Sequence, residues 1–521
     1  MTEPTPVTPL DTGGHLPAEH LAGPRVLVDE RLATRLAGVC SSVTRSDDVR
    51  SEAGRDWWPL AIGWATSGEV PALPAVVARP TTVDEVAAVL AVCNEAGVPV
   101  TATGGRSGVC GAAVPVFGGV SLDLVGLSGI GDVDETSLLA RVGAGTFGPD
   151  LEDGLHTHGL TLGHWPQSMA LSTVGGWVAC RGAGQYSTRY GKIEDMVAGL
   201  EVVLADGTVV TVGGHGPRAA TGPDLTQLFV GSEGTLGVVT EATLRLHPVP
   251  AGQARRAFGF ASFAEGLDAC RRTLARGATP AVLRLYDATE SGRSFDQGGT
   301  NVLVVLDEAD PVLVDATMAV VDDECRQADR LDDALAERWL AQRNDVSALA
   351  PLWRAGVVVD TVEVAGRWSV LPGLYHDVLH ALESVEGTLV ASSHQSHAYP
   401  DGACLYFTFA GRQPFDDDRV PGAASPGGMG APAAPTAATR TWGEAYYRAA
   451  WDAVTTTTLD AGAAISHHHG IGLNRARFLP TALGAGFGVL QSMKDALDPH
   501  GILNPGKLGL STPFGEPGWP G

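Results

Sequence analysis

The stretch Val98–Gly111, VPVTATGGRSGVCG, decides how this chain is read. Its first half has the apolar and β-branched pattern of a strand. Its second half is a loop with glycines at 104, 105, 108 and 111. Glycine lets backbone N–H groups approach a large anion with no side chain in the way. The spacing is neither the Gly-x-Gly-x-x-Gly of the dinucleotide fold nor the Gly-Lys-Ser/Thr phosphate loop. Taken alone, the loop is either a structural turn or a diphosphate site, and its surroundings must choose.

Upstream, PAVVARP (74–80) reads as a short strand stopped by Pro80. Thr82 and Glu85 form a capping box, and Val86, Val89, Leu90 and Cys93 make one helical stripe. Gly97 and Pro99 end that helix. Strand, helix, strand and glycine loop make an α/β unit that ends in a ligand-type turn. Downstream, GGVSLDL and LLARVGAGT read as strands, and a helical pattern runs from Pro149 to Gly159. LEVVLADGTVVTV (200–212) is a hairpin turning at Asp206–Gly207. Two more small-residue loops follow, PQSMALSTVGGWVACRGAG (166–184) and GSEGTLGVVT (231–240). Three such loops in one domain suggest one extended ligand touched several times.

The pattern changes near Pro250. Strand RAFGF, a helix around Ala264–Leu274, strands AVLRLYD and NVLVVLDE, and a helical region from Val312 describe an α+β domain with an antiparallel sheet. Residues 413–441 hold the low-complexity run PGAASPGGMGAPAAP, which reads as a flexible insert. A helix with Trp442, Tyr446, Tyr447 and Trp451 follows. The expected organisation is an N-terminal extension (1–73, disordered over 1–24), a first domain (74–250), a second domain (251–508) and a tail (509–521).

A chain of 521 residues is too long for one core. Its net charge of -24 argues against nucleic acid or an anionic membrane as partner. An anionic small ligand is still allowed, since it needs only a local positive site. The seven cysteines are odd in number, scattered and without a Cys-x-x-Cys pair, as in a reducing cytoplasm. No signal peptide and no spanning segment is read, so a cytoplasmic location is expected.

Two later stretches carry candidate chemistry. ISHHHGIGLNRAR (465–477) has three adjacent histidines. In a helix adjacent side chains diverge, and in a strand His467 and His469 share a face while His468 points away. Neither geometry gathers three ligands round one metal, which leaves a polar turn or one wall of an active site. In HQSHAYPDGACLYFTFA (394–410), Tyr406 sits in the apolar run Leu405–Phe409 and alone would read as a core tyrosine. Arg284, in AVLRLYD, would read as a surface ion-pair partner.

The motifs STVGGW (172–177), YGKIEDMV (190–197), TGPDL (221–225), GSEGTLGVVTEATL (231–244) and SHHHGIG (466–472) together resemble the vanillyl-alcohol oxidase and p-cresol methylhydroxylase superfamily. Within it, the chain resembles the alkyl-dihydroxyacetonephosphate synthase branch, which serves lipid biosynthesis. The resemblance runs from Pro74 to Leu508 outside the insert. It implies an α+β fold, with a two-subdomain FAD-binding domain of the p-cresol methylhydroxylase type. A cap domain with an antiparallel sheet and C-terminal helices completes it.

The resemblance also implies bound FAD. The expected cradle is Thr101, Ala102, Thr103, Gly104, Gly105, Arg106 and Ser107. It continues through Gln167, Ser168, Met169, Ala170, Leu171, Ser172 and Thr173, then Val178, Ala179, Cys180 and Arg181. Glu233, Gly234, Thr235, Leu236, Gly237, Val238 and Val239 complete it. The first loop has no histidine, so the FAD is expected to be non-covalent. Tyr406 matches the family's proton-shuttling tyrosine. His467, His468 and His469 would lie beside the flavin ring, and Arg284 would hold an anionic group.

His394 stands where the family has a substrate-binding arginine, and with His397 and Arg284 it is expected to face the substrate. Related 2-hydroxy acid dehydrogenases carry Gly-Asp-Gly-Asn-x-His, and GACLY lacks its aspartate and histidine, so no metal is expected. The implied reaction is the synthase's redox-neutral exchange of an acyl chain for a fatty alcohol at flavin N5. The alternatives are a dehydrogenase or oxidase of a D-2-hydroxy acid or alcohol, and a non-catalytic flavin or metal-storage protein. The partners expected are a small-molecule substrate and, at most, a second copy of the chain in a homodimer.

Overall fold

The computed structural model describes residues 10, 16–344, 349–414 and 437–519. The expected disorder at the N-terminus and the expected flexible insert therefore fall largely outside the described residues.

The glycine loop leaves a small, mostly parallel sheet. Its strands run in the order Val43–Thr44, Val76–Ala78, Val120–Asp123, Val100–Thr103, and only the first pairing is antiparallel. The helix Val83–Ala96 starts where Thr82 Oγ1 accepts the Glu85 N–H at 3.3 Å. It buries Val86, Val89, Leu90 and Cys93 and ends on left-handed Gly97. A second sheet of this lobe is antiparallel and built from 209–213, 197–203, 238–245, 139–143 and 130–134. Its hairpin turns at Asp206–Gly207, with Gly207 at φ +87°.

The other lobe is a seven-stranded sheet, antiparallel throughout. Its order is Asp329–Arg330, Gly252–Phe260, Asn301–Ala309, Val282–Tyr286, Thr388–Ala398, Gly402–Arg412, Val357–Arg367. Alternation along Gly402–Arg412 sends Leu405, Phe407 and Phe409 into a core shared with Tyr446, Tyr447 and Trp451 of the helix Ala437–Asp460. Tyr406 and Thr408 take the opposite face.

Two segments cross between lobes. Residues 16–73 hold three short helices and three two-residue strands, and Trp58, wholly buried, donates its Nε1–H to Tyr447 Oη at 2.9 Å. The C-terminal stretch returns to the first lobe. Val100 N–H donates to Ile502 O, and Ile502 and Leu503 join the core around Val86–Cys93. Among the described residues, no helix is long and apolar enough to cross a membrane.

Candidate active site

Between the lobes lies a cavity of about 520 Å³. All three small-residue loops line it on one side, through Ala102–Ser107, Gln167–Thr173 and Glu233–Val239 in part. Arg284, His394, His397, Tyr406, His468 and His469 line it on the other. Of the expected cradle, Ala102, Thr103, Gly104, Gly105, Arg106, Ser107, Gln167, Ser168, Leu171, Ser172, Thr173, Ala179, Cys180, Glu233, Gly234, Gly237, Val238 and Val239 face it.

The remaining expected residues do not line it. Thr101, Val178, Thr235 and Leu236 are buried, and Met169 packs against Gly148. Ala170 is exposed, Arg181 pairs with Glu194 at 3.3 Å, and His467 sits behind His468. Lining residues with no separate signal in the sequence are Trp57, Pro59, Gln185, Asp360, Thr361 and Ser396.

The residues fit a dinucleotide. The loops meet where glycine is required, since a Cβ on Gly105 would fall on the Leu171 carbonyl and one on Gly104 on Thr173 Oγ1. Several buried polar atoms of lining residues have no protein partner, namely Gln185 Oε1, Arg284 Nε, Ser396 Oγ and His469 Nδ1. Such atoms call for a polar ligand. Gly105→Ala is expected to overpack the loop by about 1–3 kcal/mol. That is roughly ten- to a hundredfold in Kd for FAD, read by flavin titration of apoprotein.

The second lobe presents its side chains by strand register. Tyr406 lies opposite Glu363 on one neighbouring strand and His394 on the other. Regular alternation would put His394 and His397 on opposite faces. A bulge between Gln395 and His397 shifts the register, so both rings face the cavity. His394 Nδ1 pairs with Glu290 at 2.7 Å, and its Nε2 meets the Arg284 guanidinium. Burial alone would raise the Glu290 carboxyl, but the hydrogen bond from His394, the Arg293 charge and the Thr408 hydroxyl hold it down at about 2. His394 stacks on Tyr406, with ring centroids 5.0 Å apart.

The histidine stretch is neither helix nor strand but a bend, and this changes the geometry expected of adjacent rings. His467 Nδ1 and His468 Nδ1 lie 2.9 Å apart, and His469 Nε2 is 3.1 Å from the Tyr406 hydroxyl. His467 Nε2 pairs with Tyr399 Oη at 3.0 Å, and His397 Nδ1 with Ser187 Oγ at 2.7 Å. Burial depresses all five imidazoles, so each stays neutral at physiological pH. Burial also pushes the Tyr406 phenol up, so it stays protonated.

His397, His467 and His468 can each turn one ring nitrogen within 4.8 Å of the others, a spacing that could hold a metal ion. The Lys192 ammonium, donating to His467 O at 2.6 Å, opposes positive charge there, and no carboxylate belongs to the group.

A cleft between a glycine-looped α/β lobe and an antiparallel cap carrying a Tyr–His pair accords with a two-lobed FAD-dependent enzyme. Residues 74–213 match the FAD-binding domain family, and residues 249–508 match the C-terminal domain of the FAD-linked oxidases. The FAD-linked oxidoreductase YgcU of Escherichia coli O157:H7 is 30% identical over 84% of this chain and 89% of its own length. The alkyldihydroxyacetonephosphate synthase of Dictyostelium discoideum is 28% identical over 85% of this chain and 74% of its own. Glycolate oxidase subunit GlcD of Bacillus subtilis is 27% identical over 88% and 93%.

Among solved structures, an alkyldihydroxyacetonephosphate synthase superposes with a TM-score of 0.74 at 23% identity, covering 96% of this chain and 89% of that one. Substrate-bound p-cresol methylhydroxylase superposes at 0.72 and 18%, covering 94% and 99%. The chain belongs to the family of FAD-linked oxidoreductases that carry this pair of domains, and its cofactor is FAD.

Proposed function

We propose that this protein oxidises a small anionic alcohol of the 2-hydroxy acid type. The observation that supports it is the wall of the cavity facing the glycine loops. Arg284, His394, Ser396, His397, Tyr406 and His469 make that wall polar, with one guanidinium among them. Bound FAD, held without a covalent link, would supply the hydride acceptor.

The chain's own residues would supply the rest. Arg284 is held from behind by His394, which leaves its buried Nε without a protein acceptor. A planar guanidinium so placed suits a carboxylate. Tyr406 would take the substrate's hydroxyl proton as it passes its own to His469 Nε2. That relay needs the proton of neutral His469 on Nδ1, which lies 3.9 Å from Glu363 Oε2. His397, His467 and His468 would order the wall as hydrogen-bonding groups rather than hold a metal. The Bacillus relative's name, glycolate oxidase subunit, accords with a substrate of this size.

The test is anaerobic mixing of the yellow holoprotein with D- and L-2-hydroxy acids. Bleaching of the flavin supports oxidation. A second reading, redox-neutral synthase chemistry, has whole-chain likeness to two-lobed synthases and a protonated Tyr406 in its favour. Incorporation of labelled fatty alcohol into an acyl ketone-phosphate without bleaching would establish it instead.

The pH profile follows from the same groups. Burial lowers His469 below the ordinary 6.5, and the proton-accepting form is the neutral one, so activity is lost only as pH falls through that lowered value. Tyr406 is raised above the ordinary 10.0. The bleaching rate is therefore expected to be flat between pH 6.5 and 10, as measured by stopped-flow at saturating substrate.

A further inference from the structure

We propose that Glu363 and Glu233 are positioning residues that grip the 466–472 turn from the two lobes and so set His469 against Tyr406. The inference rests on the Tyr406–His469 relay. Glu363 Oε1 accepts three successive backbone N–H groups, from His467 at 3.2 Å, His468 at 3.0 Å and His469 at 2.7 Å. It also accepts the Ser466 hydroxyl at 2.8 Å. Glu233, from the third glycine loop, accepts Ile471 N–H, and Gly472 N–H at 2.8 Å. Five amides of one short turn thus end on two buried glutamate side chains.

The turn has little freedom to move elsewhere. Gly470 is at φ +77°, and a Cβ there would strike Glu233 Oε1. Gly472 is at φ +54°, and a Cβ there would strike the Cys110 carbonyl. Arg475 closes the loop by donating to Gly470 O at 2.7 Å and Ser466 Oγ at 3.1 Å while pairing with Glu363.

Glu363 joins both halves of the relay. Its backbone lies opposite Tyr406 in the strand ladder, and its side chain holds the backbone of His469. The 3.1 Å between Tyr406 Oη and His469 Nε2 is therefore set through one residue that does not itself line the cavity. Glu233 adds the second anchor, tying the turn to the lobe that cradles the cofactor. A shift of about 1 Å in such a pair is enough to cost roughly a hundredfold in rate.

The test compares FAD-loaded wild type with Glu363→Gln, Glu363→Asp and Glu233→Gln. Amide exchange of residues 467–472, read by mass spectrometry without substrate, is expected to quicken about tenfold in both glutamine variants. The maximal bleaching rate is expected to fall roughly a hundredfold, with the half-saturating substrate concentration within about threefold of wild type. Glu363→Asp, which keeps the charge, should recover part of the rate.

Unchanged exchange, or faster exchange with an unchanged bleaching rate, overturns the proposal. Should Glu363→Gln fail to fold, Glu233→Gln carries the same expectations, because it leaves the Glu363–Arg475 pair intact. If wild type bleaches with no hydroxy acid, the oxidation reading falls. The substrate-free exchange then still decides whether the two glutamates hold the turn.

Discussion

Arg475→Met is expected to destabilise the holoprotein by roughly 3–5 kcal/mol in urea denaturation, because it breaks a buried ion pair on one side. The residue is wholly buried, as is its partner Glu363. The guanidinium also donates to Glu363 O at 3.1 Å and lies 4.9 Å from the Trp451 ring centroid. Burial alone would raise the Glu363 carboxyl, but Arg475 and the turn's amides hold it down at about 2.

Without Arg475, a carboxylate is left in the interior with only amides, the Ser466 hydroxyl and a neutral imidazole for company. Burying an unpaired charge is far more costly than lacking the pair altogether. The double variant Glu363→Gln/Arg475→Met is accordingly expected to be more stable than Arg475→Met alone. Equal urea midpoints for the single and double variants would contradict this account.

Tyr406→Phe is expected to lower the maximal bleaching rate by about 10²–10⁴, the range that one proton-transferring side chain supplies. Phenylalanine keeps the ring and its stacking on His394, so FAD content and thermal stability should be unchanged. The loss should appear at saturating substrate rather than in binding, because Arg284 is untouched. A variant that retains full bleaching removes Tyr406 from the reaction and leaves His469 as the group that must face the substrate directly.

The cofactor lobe was legible because its signals are local. The Thr82 cap, the stripe from Val86 to Cys93 and the Asp206–Gly207 turn are each set by neighbours in the chain, although the Glu85 carboxylate accepts from Thr81 and Ser41 and does not close a capping box. The glycine loops were visible as composition, but the strands beside them, Val100–Thr103, Leu160–Thr161 and Val238–Arg245, lie in three different sheets, so their convergence on one cavity is a property of the packed lobe. Met169, Val178 and Leu236 fell within the right loops yet face the core, since a motif marks a segment and the backbone decides which side chains look inward.

The cap-side wall was only half visible. Tyr406 reads as a core residue until its strand is paired with His394 and Glu363, a long-range register that no local pattern carries. The bulge beside Ser396 is likewise a property of two strands, and without it His397 would be assigned to the wrong face. Glu363 sits in VVVDTVEVAG, where alternation suggests an exposed carboxylate, yet it is fully buried. Its partner Arg475 lies in the quoted histidine stretch but gives no local hint of its role. Residues 16–73 read as an extension of mixed polarity, although Trp58, Leu60, Ile62 and Trp64 enter the core shared with the cap sheet.

The return of the C-terminal stretch to the first lobe bears on how the protein is made. Asn504 Nδ2 donates to Glu233 O at 2.6 Å and to Ala112 O at 3.1 Å, and the Lys507 ammonium, wholly buried, donates to Val114 O at 2.8 Å. These atoms brace two of the loops that form the flavin cradle. During synthesis the first lobe leaves the ribosome hundreds of residues before them. Flavin capture is therefore expected to wait until residue 507 has emerged, with nascent chains stalled earlier remaining colourless.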